Sequence, residues 1–310
     1  MPRRCGAVAQ IKKDGKSGLK NPVEWLADQT LFPEDVRILL NPMSAFFSAL
    51  LFFLVAASTA RSEGPPEKKG LPFPGETLAI SNRQGFLISA GSVATSGPKP
   101  WVWYAPTLSG LPGASERWMF ERFLAAGIVI AGIDVGESYG SPEGRQRFSE
   151  LHKELTSKRG YATRPVLLAR SRGGLMTLGW AVENPDKVAA WAGIYPVSNI
   201  KSYPGVQRAA PSFQLSEWEL TAQMLQHNPV DRLEALAKAG VPLFAIHGDS
   251  DKVVPLELNS GLLRERYQAL NGSMELVVPP GQGHNMWTGF FECEALVDFV
   301  KKHALAKPDR

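Results

Sequence analysis

From about residue 77 to the end, short apolar runs alternate with amphipathic segments of helix length. Runs such as Trp101–Ala105 and Pro165–Ala169 are apolar throughout, as expected of strands that are buried on both faces. The alternation predicts an α/β fold: a mainly parallel, doubly wound sheet covered by helices. The other predicted strands are Ile128–Ile133, Val188–Tyr195, Pro242–His247 and Glu275–Val278, and the predicted helices are Glu116–Ala126, Arg145–Arg159, Gly173–Glu183 and Glu292–His303.

An apolar run near the N-terminus predicts export. Ala45–Ala57 is shorter than the ~20 apolar residues that span a bilayer, and the small residues Ser58, Thr59 and Ala60 follow it. This fits a signal peptide that is cleaved after Ala60, whereas a buried core helix is the alternative. The sequence therefore predicts an N-terminal extension and signal peptide over residues 1–60, a linker over 61–75 and one catalytic domain over 76–310.

Cleavage after Ala60 would leave no stable membrane span and would place the protein outside the cell or in the periplasm. Cys293 would then be the only cysteine, so no intrachain disulfide is expected. Met43 directly precedes the apolar run, and either Met1 or Met43 can be the translation start. No Lys or Arg lies between Met43 and Ala60, so only the terminal amine would give that start its positive charge.

Charge and motif content disfavour several classes of function. The net charge is only +4 over 310 residues, and the lysines near the N-terminus lack interleaved aromatic residues. Nucleic acid is therefore not an expected partner. The sequence has neither a His-Glu-x-x-His nor a Cys-x-x-Cys pattern, so we expect no metal site.

A serine lies where a predicted strand passes directly into a predicted helix. Ser171 has the small residues Ala169 and Gly173 two positions away on either side. In a nucleophile elbow the chain turns so sharply that larger residues at these positions would collide with their surroundings. The short pattern recurs by chance, so the strand–turn–helix setting is what indicates that Ser171 is a nucleophile.

Two further loops follow predicted strands and supply an acid and a base. Asp251 lies in a Gly-x-x-Asp-x-x-Val-Pro turn, and His284 lies in a loop rich in small residues. The carboxyl ends of parallel strands meet at one edge of a sheet, so Ser171, Asp251 and His284 are expected to converge there. A serine hydroxyl needs an imidazole to accept its proton, and that imidazole needs a carboxylate to hold its tautomer.

The chain order Ser171, Asp251, His284 resembles that of α/β-hydrolases. From about Thr77 onward the chain is similar to hydrolases of the prolyl-oligopeptidase-like or dienelactone-hydrolase-like group. The resemblance implies an α/β-hydrolase fold and an acyl-enzyme on Ser171, with no cofactor. It does not specify the substrate.

Neighbouring acidic and imidazole groups are expected to have structural roles. The family position favours Asp251 over Asp249, which we interpret as a turn carboxylate that binds local amides. His247, at the end of a predicted strand, is interpreted as packed and hydrogen-bonded. His152 and His303 have charged neighbours on predicted helices and are expected at the surface.

An oxyanion hole needs two backbone N–H groups, one of them from the residue after the nucleophile. That residue is Arg172, at the first turn of a helix whose dipole also favours negative charge. The resemblance places the second donor after Trp101–Ala105, where related enzymes often carry His-Gly and this chain carries Pro106-Thr107-Leu108. Proline has no N–H, so Thr107 is the first candidate and Leu108 is the second.

Two cations flank the predicted nucleophile. A cation at a helix N-terminus opposes the helix dipole by ~0.3–1 kcal/mol, so Arg170 and Arg172 need a compensating anion. An internal carboxylate such as Glu137 or Asp134 is one candidate, and an anionic substrate group is the other. The Ser-Arg pair also resembles the Gly-Cys-Ser-Arg elbow of glucuronoyl esterases, although only its last two residues match.

Substrate contacts are predicted from aromatic and apolar residues near these loops. The candidates for substrate binding are Arg170, Leu108 and Trp287. Trp287 is included because it follows His284 by three residues. Trp103, Tyr139 and Met286 also lie near these loops and could form an apolar or sugar-stacking wall. Most residues at such positions are interpreted as core. His227 is an open candidate for the pocket wall.

The segment between two of the predicted strands has a different character. Ser216 and Glu219 form the pattern of a capping box before a short helix. We interpret residues 197–240 as a small helical cap inserted into the domain.

The sequence thus predicts an exported carboxylic-ester hydrolase acting on a small-molecule or carbohydrate ester, with esters of acidic substrates included among the candidates. A serine peptidase of the prolyl-oligopeptidase type and a non-catalytic binding protein of the same fold are the alternatives. The acyl group, the alcohol and the oligomeric state are left open.

Overall fold

A computed structural model describes residues 69–89, residue 91 and residues 97–306. The predicted signal peptide and most of the predicted linker lie outside the described residues. The part that is described contains the whole predicted sheet, the predicted cap and all the predicted site residues.

Eight strands form one sheet in the order β1-β2-β4-β3-β5-β6-β7-β8. Strands β3 to β8 run parallel to one another, whereas β1 and β2 pair antiparallel at one edge. The mainly parallel sheet agrees with the prediction. The strands are β1 (Gly75–Ile80), β2 (Arg83–Ile88), β3 (Trp101–Ala105), β4 (Val129–Ile133), β5 (Val166–Arg170), β6 (Ala190–Ile194), β7 (Leu243–Ile246) and β8 (Met274–Val277).

The hairpin of β1 and β2 was not predicted. Strand β1 is largely exposed at the sheet edge and mixes polar and apolar residues, whereas β2 begins with two polar residues and has only the short apolar run Phe86–Ile88. The turn between them contains Ser81 with φ of 54°. The first strand also begins at Gly75, within the predicted 61–75 linker.

Helices cover both faces of the sheet. Helices α1 and α10 pack on one face, and α2, α3 and α8 pack on the other. Among the described helices none is both long enough and apolar enough to cross a membrane. The helices are α1 (Arg117–Ala125), α2 (Pro142–Lys153), α3 (Gly173–Ala181), α4 (Val206–Ala209), α5 (Glu217–Ala222), α6 (Met224–His227), α7 (Glu234–Lys238), α8 (Ser260–Ala269), α9 (Thr288–Phe291) and α10 (Glu294–Ala304).

The four short helices α4 to α7 occupy the segment between β6 and β7 in which a cap was predicted. The capping box is present: Ser216 Oγ accepts from the N–H of Glu219, whose carboxylate accepts from the N–H of Ser216. Apolar residues of this segment pack against Leu175 of α3 and against Tyr139 in the loop that precedes α2.

The prediction that His152 lies at the surface is wrong. The residue is only 9% exposed, and its ring packs 5.5 Å from Trp180 and 6.4 Å from Trp103, measured between ring centroids. Its Nε2 donates to the carbonyl of Thr163 at 2.8 Å. The charged neighbours of His152 in sequence lie on other faces of α2, so they did not indicate where the imidazole points.

Candidate active site

The turn between β5 and α3 has the geometry of a nucleophile elbow. Ser171 adopts φ of 49°, a left-handed conformation that is strained for a residue with a side chain. A Cβ on Gly173 would lie 2.1 Å from the carbonyl oxygen of Ala105, and a Cβ on Gly174 would lie 2.3 Å from that of Val197. Only glycine therefore fits at these two positions. The elbow packs there against the end of β3 and against the chain that follows β6, its two neighbouring strands.

The three predicted triad residues meet at the carboxyl edge of the sheet. Ser171 Oγ lies 2.9 Å from Nε2 of His284, and Nδ1 of His284 lies 2.7 Å from Oδ2 of Asp251. With Asp251 ionised, Nδ1 must carry the proton, so Nε2 is free to accept one from Ser171. The arrangement is the one in which an imidazole activates a serine hydroxyl.

Asp251 is held as a carboxylate in a fully buried position. Its Oδ1 accepts hydrogen bonds from the backbone N–H groups of Val253 and Val254 at 3.0 and 2.8 Å. Burial alone would raise the pKa of Asp251, but hydrogen bonds from His247 and His284 outweigh it and lower the pKa well below its usual range.

Asp249, the rejected alternative, lies in the same turn but bonds elsewhere. Its Oδ1 accepts from the N–H of Gly281 at 2.7 Å and from the hydroxyl of Ser250 at 2.9 Å. It therefore ties the acid loop to the base loop. The two loops also touch at Gly248, where a Cβ would lie 2.1 Å from the carbonyl oxygen of Gln282.

The ring of Tyr195 lies beside the base, and no sequence pattern indicated it. Its centroid is 4.4 Å from that of His284, and its hydroxyl accepts from Nε of Arg170 at 3.2 Å. Tyr195 directly follows β6, the strand next to β5, so it reaches the same edge of the sheet. Burial is the main cause of its raised pKa.

The two arginines beside Ser171 both bind internal carboxylates. Arg170 donates through Nη1 to Glu116 at 2.7 Å, and the carboxylate of Glu116 is fully buried. Arg172 pairs with Glu137, and this pair is partly exposed. The partner of Arg170 is thus neither of the predicted carboxylates, because Glu116 lies 54 residues away in sequence and only the fold brings it near.

The predicted oxyanion donors lie on two segments that the fold presses together. Gly173 meets Ala105 and Pro106, so the elbow abuts the start of the loop that carries Thr107. Thr107 is only 3% exposed. Within the described ranges, neither its backbone N–H nor that of Arg172 donates a hydrogen bond. A buried N–H without a partner is rare, so that of Thr107 is suited to an oxyanion, and the N–H of Arg172 is likewise free to donate.

The loop after β3 is held from two sides. The hydroxyl of Thr107 donates to the carbonyl of Ile133 at the end of β4. On the other side, Nζ of Lys69 donates to the carbonyl oxygens of Thr107 and Leu108 at 2.7 and 2.9 Å. Burial lowers the pKa of this ammonium, although the nearby Asp134 opposes the shift.

A groove of about 470 Å³ opens beside the base loop. It adjoins the elbow through Met286, whose sulfur lies 3.0 Å from Nη2 of Arg170. Apolar, cationic and acidic side chains share its wall, which is lined by Ala114, Ser115, Arg117, Trp118, Glu121, Met286, Thr288, Phe291 and Glu292.

The aromatic candidates divide between core and surface. Trp103 is fully buried, and Tyr139 packs under the helical segment. Trp287 is 39% exposed and packs edge-on against Phe290, outside the lining of the groove. His227 packs 5.0 Å from Phe213 and does not line the groove either.

No cluster for a metal ion is found in the part of the chain that the structure describes. There, no group of three or more His, Cys, Asp or Glu side chains is placed to hold an ion. The groups next to Ser171 are the imidazole of His284 and, behind it, the carboxylate of Asp251, which are suited to proton transfer.

The prolyl oligopeptidase family model matches residues 148–306, just over half of the 310 residues. The chain belongs to the prolyl oligopeptidase family. The match covers the elbow, the acid turn and the base loop, and it confirms the resemblance seen in the sequence. The chain is accordingly a serine hydrolase with an α/β-hydrolase fold. No curated protein matches it in sequence.

Solved structures share the fold at low sequence identity. A puromycin-hydrolyzing peptidase of Mycobacterium tuberculosis is 15% identical with a TM-score of 0.59, over 76% of this chain and 40% of that one. The acylaminoacyl peptidase of Pyrococcus horikoshii is 14% identical with a TM-score of 0.61, over 77% and 43%. MPT51 of Mycobacterium tuberculosis is 13% identical with a TM-score of 0.60, over 74% and 99%. The chain therefore spans less than half the length of the puromycin-hydrolyzing peptidase and of the acylaminoacyl peptidase.

Proposed function

We propose that the protein hydrolyses carboxylic esters through an acyl-enzyme on Ser171. The observation that carries the proposal is the continuous chain of hydrogen bonds from Ser171 Oγ to His284 and on to Asp251. In this mechanism Ser171 attacks the ester carbonyl while its proton passes to Nε2 of His284. The imidazolium then gives that proton to the departing alcohol.

The second half of the reaction releases the acid. Water attacks the acyl-enzyme, His284 takes one of its protons, and that proton returns to Ser171 as the acid leaves. The backbone N–H groups of Arg172 and Thr107 are the proposed donors to the oxyanion in both steps. Such a donor is typically worth a factor of about 10²–10³ in kcat.

Both arginines near Ser171 are already paired with carboxylates, and this favours a neutral substrate, such as an acylated carbohydrate or another small-molecule ester. Arg170 is bound to a buried carboxylate, and Arg172 is bound to Glu137. Arg170 is therefore occupied by Glu116 rather than available for a substrate carboxylate. Of the binding residues suggested by the sequence, Leu108 lies in the loop that follows β3, where its carbonyl accepts a hydrogen bond from Lys69.

A serine peptidase is the second candidate. It is favoured by the family match and by the solved peptidases that share the fold. The same triad hydrolyses amides when the leaving amine is protonated and the peptide is well positioned. Glu137, the partly exposed carboxylate that pairs with an elbow arginine, is bound to Arg172 and is not free to hold a peptide amine.

Labelling with a fluorophosphonate probe tests the nucleophile. We expect the probe to modify Ser171, as read by peptide mass spectrometry, and we expect Ser171→Ala to abolish both labelling and ester hydrolysis while its circular dichroism stays unchanged. Ester hydrolysis that survives in a folded Ser171→Ala variant would reject the proposed function.

Matched substrates distinguish the two candidates. A p-nitrophenyl ester and a p-nitroanilide with the same acyl group differ only in the bond that is cleaved. We expect ester hydrolysis above the Ser171→Ala background and anilide hydrolysis at that background. Efficient anilide or peptide cleavage would establish the peptidase instead. Acetylated sugars and uronate methyl esters then identify the alcohol and the acid.

We also propose that the protein is exported and acts outside the cytoplasm. The proposal rests on the apolar run Ala45–Ala57 and the small residues that end at Ala60. The mature N-terminus should then lie near Arg61 in an exporting host. Terminal sequencing of exported protein that finds residue 1 or residue 43 intact would contradict this proposal.

A further inference from the structure

The carboxylate of Asp251 lies between two imidazoles, of which the triad uses only one. Its Oδ2 is 2.7 Å from Nδ1 of His284 and 3.3 Å from Nε2 of His247. The side chains of His247 and Asp251 are both fully buried. His247 directly follows β7, so the strand that precedes the acid turn also delivers this second imidazole.

The neighbours of His247 determine where its proton lies. Nε2 is 2.8 Å from the carbonyl oxygen of Val254 and 3.3 Å from Oδ2 of Asp251, and both of these groups only accept. Nε2 must therefore carry the proton. Nδ1 is 2.8 Å from the hydroxyl of Ser260, which donates to it in the neutral imidazole.

The single proton on Nε2 faces two acceptors: the carbonyl oxygen of Val254 at 2.8 Å and, at the longer distance of 3.3 Å, Oδ2 of Asp251. Val253 and Val254 supply two N–H groups to Oδ1, His284 supplies one to Oδ2, and the N–H of His247 is shared between Oδ2 and the carbonyl of Val254. A carboxylate that N–H groups face on both oxygens is hindered from rotating away from the base. The hydrogen bond from His247 also takes up part of the negative charge that faces His284.

We infer that His247 is a positioning residue: its Nε2–H fixes Oδ2 of Asp251 in the place from which that oxygen binds and orients His284. The inference rests on the proposed function, because it assigns His247 a part in the same proton transfer. His247 touches neither Ser171 nor the groove, so it acts only through Asp251.

Two substitutions test this role. His247→Met removes the donor and keeps an apolar side chain of similar reach, whereas the amide of His247→Gln can donate from nearly the same place as Nε2. We expect His247→Met to lower kcat for an ester about tenfold, the low end of what a hydrogen bond to a charged group is worth, with KM within twofold. His247→Gln should recover most of that loss.

A pH profile separates positioning from a structural role. The groups that face Asp251 are His284, His247 and, at longer range, Tyr195. Without the donor of His247, the carboxylate stabilises the imidazolium of His284 more strongly. The acidic limb of the kcat/KM profile should therefore move to higher pH in His247→Met. An unmoved limb, or a Gln variant as impaired as the Met variant, overturns the inference.

A measurement on the wild-type protein covers the case in which His247→Met does not fold. In spectra of protein with ¹⁵N-labelled histidine, the resonances that disappear in His247→Gln belong to His247 and should report a proton on Nε2. An Nδ1–H tautomer overturns the inference. Failure of the fluorophosphonate probe to label Ser171 rejects the proposed function instead. The tautomer of His247 can be measured whichever result the probe gives.

Discussion

Arg170 and Glu116 form an ion pair directly behind the nucleophile, with 2.7 Å between Nη1 and Oε1. Glu116 also accepts from the hydroxyl of the buried Tyr104 at 2.8 Å. The guanidinium lies 5.0 Å from the ring centroid of Phe291. A cation beside the elbow thus stabilises the fold, and it ties the end of β5 to the start of α1.

Removing this cation should destabilise the protein. Arg170→Met leaves Glu116 buried without its partner, which typically costs about 3–5 kcal/mol of unfolding free energy. Arg172→Met is the matched control, because its pair with Glu137 is partly exposed and such pairs are worth about 0–1 kcal/mol. Urea unfolding of both variants checks the difference. Equal losses would mean that the Arg170 pair contributes no more than a surface pair.

Substitution of the two neighbouring acids should separate their roles. Asp251→Asn should lower kcat on the order of 10⁴-fold, as when a serine protease loses the acid of its triad, because the amide holds the wrong imidazole tautomer. Asp249→Asn should have a far smaller effect, since Asp249 only joins the two loops. Steady-state kinetics on one ester measures both. A more damaging Asp249→Asn would reverse the assignment.

Lys69 should affect catalysis although it lies outside the triad. Its ammonium holds the carbonyls of Thr107 and Leu108, so it orients the peptide groups of the proposed oxyanion loop. We expect Lys69→Met to lower kcat about tenfold with little change in KM, whereas Lys69→Arg keeps a donor and most of the activity. A Met variant with wild-type kcat would show that the loop is held without Lys69.

Burial of His152 should make stability depend on pH. Burial is the main cause of its lowered pKa in the folded protein, so the unfolded chain binds the proton more readily. This contribution to stability is present above the unfolded pKa of about 6.5 and is lost as the pH falls below it. His152→Gln should therefore lose less unfolding free energy than wild type between pH 7 and pH 5. The difference is at most about 1.4 kcal/mol per pH unit. Parallel curves for the two proteins would contradict the prediction.

The sequence predicted those features that depend on local pattern. Continuous apolar runs marked β3 to β8, and the loops after β5, β7 and β8 indicated Ser171, Asp251 and His284 through a shared sheet edge. Contacts between distant segments carry no such pattern. Glu116 behind Arg170, Tyr195 against the base and His247 against the acid all depend on which strands become neighbours. The edge hairpin was missed because β1 is mostly exposed and the apolar run of β2 is only three residues long.

The contact between Gly173 and Ala105 makes the active site sensitive to a residue outside the triad. One extra methyl group at position 173 would force the elbow away from the end of β3, because a Cβ there would lie 2.1 Å from a carbonyl oxygen. Such a change would spoil the alignment of two segments at once while leaving every triad side chain in the sequence. In this chain, a substitution at position 173 is therefore expected to abolish activity although Ser171, Asp251 and His284 are all unchanged.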